Sequence, residues 1–227
     1  MKSYIAESAL RAQNSRNEYL LHGKVQVVIT EPLPKEIDIA SIIKRVQKTI
    51  PKHLLADVDS VYIGNYAPLN DRQVDSLYIN GSIMITNNQP NSEELYGTFI
   101  HEIAHAAEEI AKDSIYGDGK LAREFIAKRK TLFNMLKDDY KIKEKDFVDI
   151  DFNPRFDQFA YKEVGYDNLG VMTSGLFISP YACTSLREYF ANGFEHYFID
   201  GGREIREVSP VLYRKVQEVI RGAYLDT

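Results

Sequence analysis

His101-Glu102-Ile103-Ala104-His105 is the run whose residue types and spacing most directly suggest chemistry. Two histidines four apart project from one face of a helix, one turn from each other. Their imidazoles can share one zinc ion. The glutamate between them faces the open coordination position, where it can take a proton from a bound water. The chemistry implied is metal-assisted hydrolysis, with a peptide bond as the leading substrate.

Such a run needs a helix to present it. Leu95, Phe99, Ile100, Ile103, Ala107 and Ile110 recur at helical spacing across residues 93–112. Asn91 or Ser92 can cap the start, and Glu94 stands three residues after Asn91, as in a capping box. The plainer alternative is a solvated helix face that carries two histidines by accident.

Catalytic zinc usually takes three protein ligands and a water. A glycine three residues after the second histidine, with a third histidine three further on, would complete the set on the same segment. Those positions hold Glu108 and Ala111, so that class is excluded. The third ligand must come from elsewhere, and residues 179–198 offer acids on a second helix. Thr184 or Ser185 can cap that helix, with Glu188 in its first turn. A carboxylate there also simply favours a helix N-terminus. Glu195 and His196, two turns on, compete with Glu188 as ligands.

Taken together, His101–His105 and the later Tyr181-x6-Glu188-Tyr-Phe-Ala-x-Gly-Phe194 resemble the catalytic domain of the anthrax lethal factor family of zinc peptidases, which is related to the secreted Pro-Pro endopeptidases of clostridia. The resemblance runs from about Tyr78 to Val219. It implies a zincin-like α+β fold and a zinc-dependent endopeptidase of the glutamate-ligand (gluzincin) type. Zn2+ is then held by His101, His105 and Glu188. Glu102 acts as the base, and Tyr181 contacts the substrate oxyanion. A protein or peptide is the substrate, laid along the strand near residues 78–86. Two departures stand out. The stretch between His105 and Glu188 is longer than the family pattern, making 138–175 an insertion near the cleft. Asn192 replaces a second acid one turn after the ligand, where it is expected to accept a hydrogen bond from a zinc-bound imidazole.

The elements around these motifs read as one domain over 1–227, with an α/β lobe at 1–115 and a helical lobe at 116–227, the metal lying in the cleft between them. Residues 3–20 read as a helix. Residues 24–30, 58–64 and 78–86 read as strands, with helices at 37–50 and 93–112. The third strand is interrupted by Asn80-Gly81, either a bulge or a hairpin turn. Helices are expected at 121–137, 184–199 and 208–222. Residues 138–180 are aromatic and turn-rich. Tyr161, Tyr166 and Phe177 either shape pockets or fill the core. Cys183 reads as a small packed residue.

Composition excludes other classes. The 28 basic and 33 acidic side chains sum to a net charge of −5 and are scattered, so nucleic acid is not an expected partner. Lys128-Arg129-Lys130 reads as the wet face of a helix. No run approaches the roughly 20 apolar residues of a membrane helix, so no membrane partner is expected. A single cysteine leaves no internal disulfide. Residues 1–7 lack the apolar core of a secretory signal. The protein therefore stays in the cytoplasm, leaves by a non-classical route, or has had its signal removed. Two other functions fit the motifs: a zinc-binding interaction domain without turnover, and a metallohydrolase of a non-protein substrate.

Overall fold

A computed structural model describes residues 18–72 and 74–226. The chain has a mixed α+β architecture, with a five-stranded mixed sheet followed by a mostly helical C-terminal part. It divides into two compact units, Met1–Ala107 and Glu108–Thr227. Among the described residues no helix is long and apolar enough to cross a membrane.

The first unit is built on the sheet, ordered β1-β2-β3-β5-β4. β1 (Glu18–Leu21) and β2 (Val25–Ile29) form an antiparallel hairpin. Its turn uses positive φ at His22 and Gly23, the backbone that tight hairpins favour. The helix expected over 3–20 therefore does not extend to its end: residues 18–20 are strand, and 3–17 lie outside the described residues. β2 pairs in parallel with β3 (Ser60–Ile63), and β3 in parallel with β5 (Ser82–Ile85). That register places Val27, Val61 and Ile83 in one row and Ile29, Ile63 and Ile85 in the next, all buried. β-branched residues pack well on such a pleated surface.

The third expected strand is two. β4 (Ser76–Ile79) folds back antiparallel on β5. Asn80 and Gly81, with φ of 48° and 79°, make the turn, so the pair is a hairpin and not a bulge. A Cβ on Gly81 would lie 2.9 Å from an Asp59 carboxylate oxygen and 3.3 Å from the Asp57 carbonyl, a close approach that also favours glycine. β4 is thereby left at the sheet edge.

Helix α1 (Ile39–Thr49) buries Ile39, Ile42, Ile43 and Val46, the stripe its periodicity predicts. Asp38 caps it by accepting from the Ser41 amide. Helix α2 (Ala67–Arg72) is a short link before β4. Helix α3 (Ser92–Tyr116) then runs for 25 residues without interruption. Asn91 Oδ1 accepts from the amides of both Glu93 and Glu94, so Asn91 is its cap. Arg45 of α1 bonds both oxygens of Glu93 and lies 3.7 Å over the Tyr96 ring, tying the two helices together.

The second unit begins within α3. Helix α4 (Lys120–Leu136) is its hub. Glu124 accepts from the amides of Val211 and Leu212, at the start of helix α9 (Pro210–Ile220), and from the Tyr189 hydroxyl. It supplies from another helix the cap that Ser209 does not make. Residues 138–180 form short elements: a 3₁₀ turn (Glu144–Phe147), α5 (Pro154–Gln158), a π-helical turn (Phe159–Val164) and α6 (Tyr166–Thr173). Phe147 stands edge-on to both Phe156 and Phe159 in a buried cluster that explains the aromatic composition. Helix α7 (Leu186–Asp200) and α8 (Arg203–Val208) complete the unit.

Of the basic run 128–130, only Lys130 lies on a wet face. Lys128 is 9% exposed and Arg129 fully buried. Lys128 donates to the Leu176 and Val208 carbonyls. Arg129 donates to the carbonyls of Cys183 and Asp146, and its guanidinium lies 3.6 Å over Phe156. A helical periodicity sees cations there and has no means of seeing the carbonyls they serve.

Candidate metal centre

α3 buries Phe99, Ile100, Ile103 and Ala107 and presents His101 and His105 from one face. Their ring centroids are 5.0 Å apart with the planes at 80°. Neither imidazole is exposed. Glu102 is 3% exposed. Ser76, the first residue of edge strand β4, donates its hydroxyl to Glu102 Oε1 at 2.5 Å. Oε2 of the same carboxylate is buried and has no hydrogen-bond partner among the described residues. A buried carboxylate oxygen left without a donor is costly, and native structures keep few such groups without a functional reason.

The second unit builds the start of α7. Ser185 has extended backbone and accepts from the Glu188 amide, so Ser185, not Thr184, is the cap. Arg187 donates to both oxygens of Glu108, which also accepts from the Tyr116 hydroxyl at 2.8 Å. Burial alone would lower the Arg187 pKa, but the Glu108 carboxylate beside it outweighs that and raises it. Burial, and then Glu108, push the Tyr116 hydroxyl far above its ordinary range. Glu108 stands three residues after His105 on the same continuous helix. Its pairing with the half-exposed Arg187 joins the last part of α3 to the first turn of α7 within the second unit.

One ligand atom from each of His101, His105 and Glu188 lies within 4.8 Å of the others. Tetrahedral zinc with bonds of about 2.0–2.1 Å sets ligand atoms roughly 3.4 Å apart. Two imidazoles and one carboxylate are also a donor set that catalytic zinc accepts with a position to spare. Residues and group therefore fit. His196 falls in a different group, with Asp200 and Glu204. Both of those carboxylates are exposed, and Asp200 accepts from the Gly202 amide. Glu195 is in neither group.

Tyr181 opens a 3₁₀ turn, Tyr181–Cys183, and its ring stands edge-on to Tyr166 at 6.1 Å. Tyr166 donates to Asp157. Of the three aromatics considered for pockets, Phe177 is core at 2% exposure, Tyr166 is part-buried, and Tyr161 is 60% exposed. Cys183 is fully buried, and burial lifts its thiol to about 12, so at neutral pH it is a packed thiol and no thiolate ligand.

Asn192 is where the geometry departs from expectation. Its Oδ1 accepts from the Ser179 hydroxyl at 2.6 Å, and its Nδ2 donates to the Glu188 carbonyl at 2.8 Å. Both bonds lie within the second unit. The bonds made by Ser76, Ser179, Arg129 and Glu108 were not legible in the sequence. Each residue acts through a single hydroxyl, guanidinium or carboxylate on a partner remote in sequence, and such a pairing leaves no periodic signal. Compared with known proteins, the chain matches no family model, no curated protein and no solved structure.

Proposed function

We propose that the chain is a zinc-dependent endopeptidase of the gluzincin type, with a zincin-like fold. The observation that carries this reading is the convergence of ligand atoms from His101, His105 and Glu188 within 4.8 Å of one another. The orphaned Glu102 Oε2 supports it independently. A zinc ion held by these three residues supplies a Lewis acid and an acidified water. Glu102 is the proton carrier. Ser76 holds one of its oxygens and leaves the other directed to the reaction, where it takes a proton from the attacking water and returns it to the leaving amine. Tyr181 is assigned the oxyanion contact through the family resemblance. β4 supports a mode of substrate binding. It is an edge strand, and Ser76 within it touches the base, so an extended peptide that adds to this edge lies alongside Glu102.

The test is cleavage of a mixed peptide library read by mass spectrometry, with zinc content measured on wild type, Glu102→Ala and Glu188→Ala. The expected result is cleavage by wild type alone, full zinc in Glu102→Ala and weakened zinc in Glu188→Ala. Zinc without cleavage would favour a binding module. Cleavage and zinc both retained in Glu188→Ala would sink the ligand set.

A further inference from the structure

We propose that Asn192 and Ser179 form a clamp that positions Tyr181 relative to Glu188, an inference that rests on the peptidase reading above. Ser179 Oγ accepts from the Ala182 amide at 3.0 Å, inside the turn that Tyr181 opens. The same hydroxyl donates to Asn192 Oδ1, and Asn192 Nδ2 donates to the Glu188 carbonyl. A continuous chain of hydrogen bonds thus runs from the Tyr181 turn to the residue on α7 that offers the third ligand. Asn192 is 6% exposed, so water competes poorly for these bonds.

The chain demands an amide at 192. One end must accept from a hydroxyl and the other must donate to a carbonyl. Aspartate of the same shape keeps the acceptor and loses the donor, and it sets a carboxylate oxygen against the Glu188 carbonyl. Serine at 179 is equally constrained, because its hydroxyl accepts and donates at once. Threonine preserves both roles and alanine neither. Asn192 and Ser179 are positioning residues. They act on the reaction through the placement of the Tyr181 hydroxyl, where small errors are expensive.

The experiment compares Asn192→Asp, Ser179→Ala and Ser179→Thr in the full chain. It measures kcat, KM, zinc affinity and amide hydrogen exchange over residues 181–184. We expect Asn192→Asp and Ser179→Ala to lose about tenfold or more in kcat with KM little changed, since the affected contact belongs to the transition state. Zinc affinity should hold within a few-fold. Exchange at Ala182 should accelerate. Ser179→Thr should restore both readouts. In a Tyr181→Phe background the Ser179→Ala change should cost nothing further, because the clamp acts through that hydroxyl. An undiminished loss in that background, or unchanged exchange in both variants, overturns the clamp while the peptidase reading stands. A wild type that neither binds zinc nor cleaves peptides overturns that reading, and the positioning role with it.

Discussion

Replacing Arg129 by methionine tests how the second unit holds the turn before α7. The side chain is fully buried. Its Nη1 donates to the Cys183 carbonyl and, at 3.4 Å, to that of Thr184, while Nη2 donates to Asp146 at 2.7 Å. Burial lowers its pKa to about 10, which still leaves it charged at neutral pH. Methionine replaces only the aliphatic stem, ending near the position of Nε, so it gives up the guanidinium stacked on Phe156 and leaves the Cys183 and Asp146 carbonyls without their donor. Two hydrogen bonds from a charged group are together worth about 3–6 kcal/mol. Some of that is offset, because a cation need no longer be desolvated. A net loss of about 2–4 kcal/mol is expected, which at a typical urea slope lowers the unfolding midpoint by roughly 1–2 M. Arg129→Lys should recover only part of it, since one ammonium cannot span both carbonyls. Urea unfolding followed by circular dichroism reads the midpoint, and hydrogen exchange at 181–184 reads the turn. An Arg129→Met midpoint equal to wild type would refute the reasoning, by showing that the desolvation cost cancels the bonds.

Other perturbations probe different levels. A Cβ on Gly193 would sit 2.5 Å from Leu212 Cδ2 and 2.7 Å from Cγ, and Leu212 is fully buried. Overpacking of about 1–3 kcal/mol should therefore outweigh the helix-propensity gain of about 1 kcal/mol in Gly193→Ala. Leu212→Ala should absorb part of that penalty, and strictly additive urea midpoints in the double variant would contradict the contact. The Lys120 amide, and then Lys215 and Lys120, hold the Asp118 pKa at about 2, below its ordinary 3.8. Because the folded value is the lower one, its stabilisation is present in full above the unfolded value and is lost as pH falls through about 2. The midpoint difference between wild type and Asp118→Asn should accordingly shrink below pH 4 and vanish below pH 2, and a difference independent of pH would exclude the ion-pair account. On the zinc-peptidase reading, Ser76→Ala should leave zinc content intact and lower kcat by about tenfold, a fraction of what a positioned base supplies. Unchanged kcat would show that Glu102 needs no such support.

The legible parts share one physical property: their information is local and periodic. The apolar stripes of α1 and α3 lie within a turn of what they control, as do the caps Asn91 and Ser185, each one of two neighbours that the sequence offered. The spacing of His101 and His105 is likewise a property of one helix. Glu188 stood out from Glu195 and His196 only through a longer motif. What could not be read depends on partners far along the chain. Tyr19 and Leu20 follow a helix-like pattern, yet their segment pairs with β2 once the His22-Gly23 turn folds it back. Asn80-Gly81 was ambiguous because bulge and hairpin ask for the same backbone there. Lys128 and Arg129 looked solvated because charge alone does not disclose a buried carbonyl. Asn192 was assigned an imidazole partner from its position, whereas the geometry gives it Ser179 and the Glu188 carbonyl.

The order in which the three converging residues leave the ribosome follows from their places in the chain. His101 and His105 sit on α3, and Glu188 follows on α7 after more than eighty further residues. At about 5–20 residues per second, that separation amounts to roughly 4–16 s of synthesis. Throughout that interval a nascent chain carries at most two of the three residues proposed as ligands. A prematurely terminated product would be in the same condition permanently. On the zinc-peptidase reading, hydrolytic capacity is thereby withheld until α7 has been made.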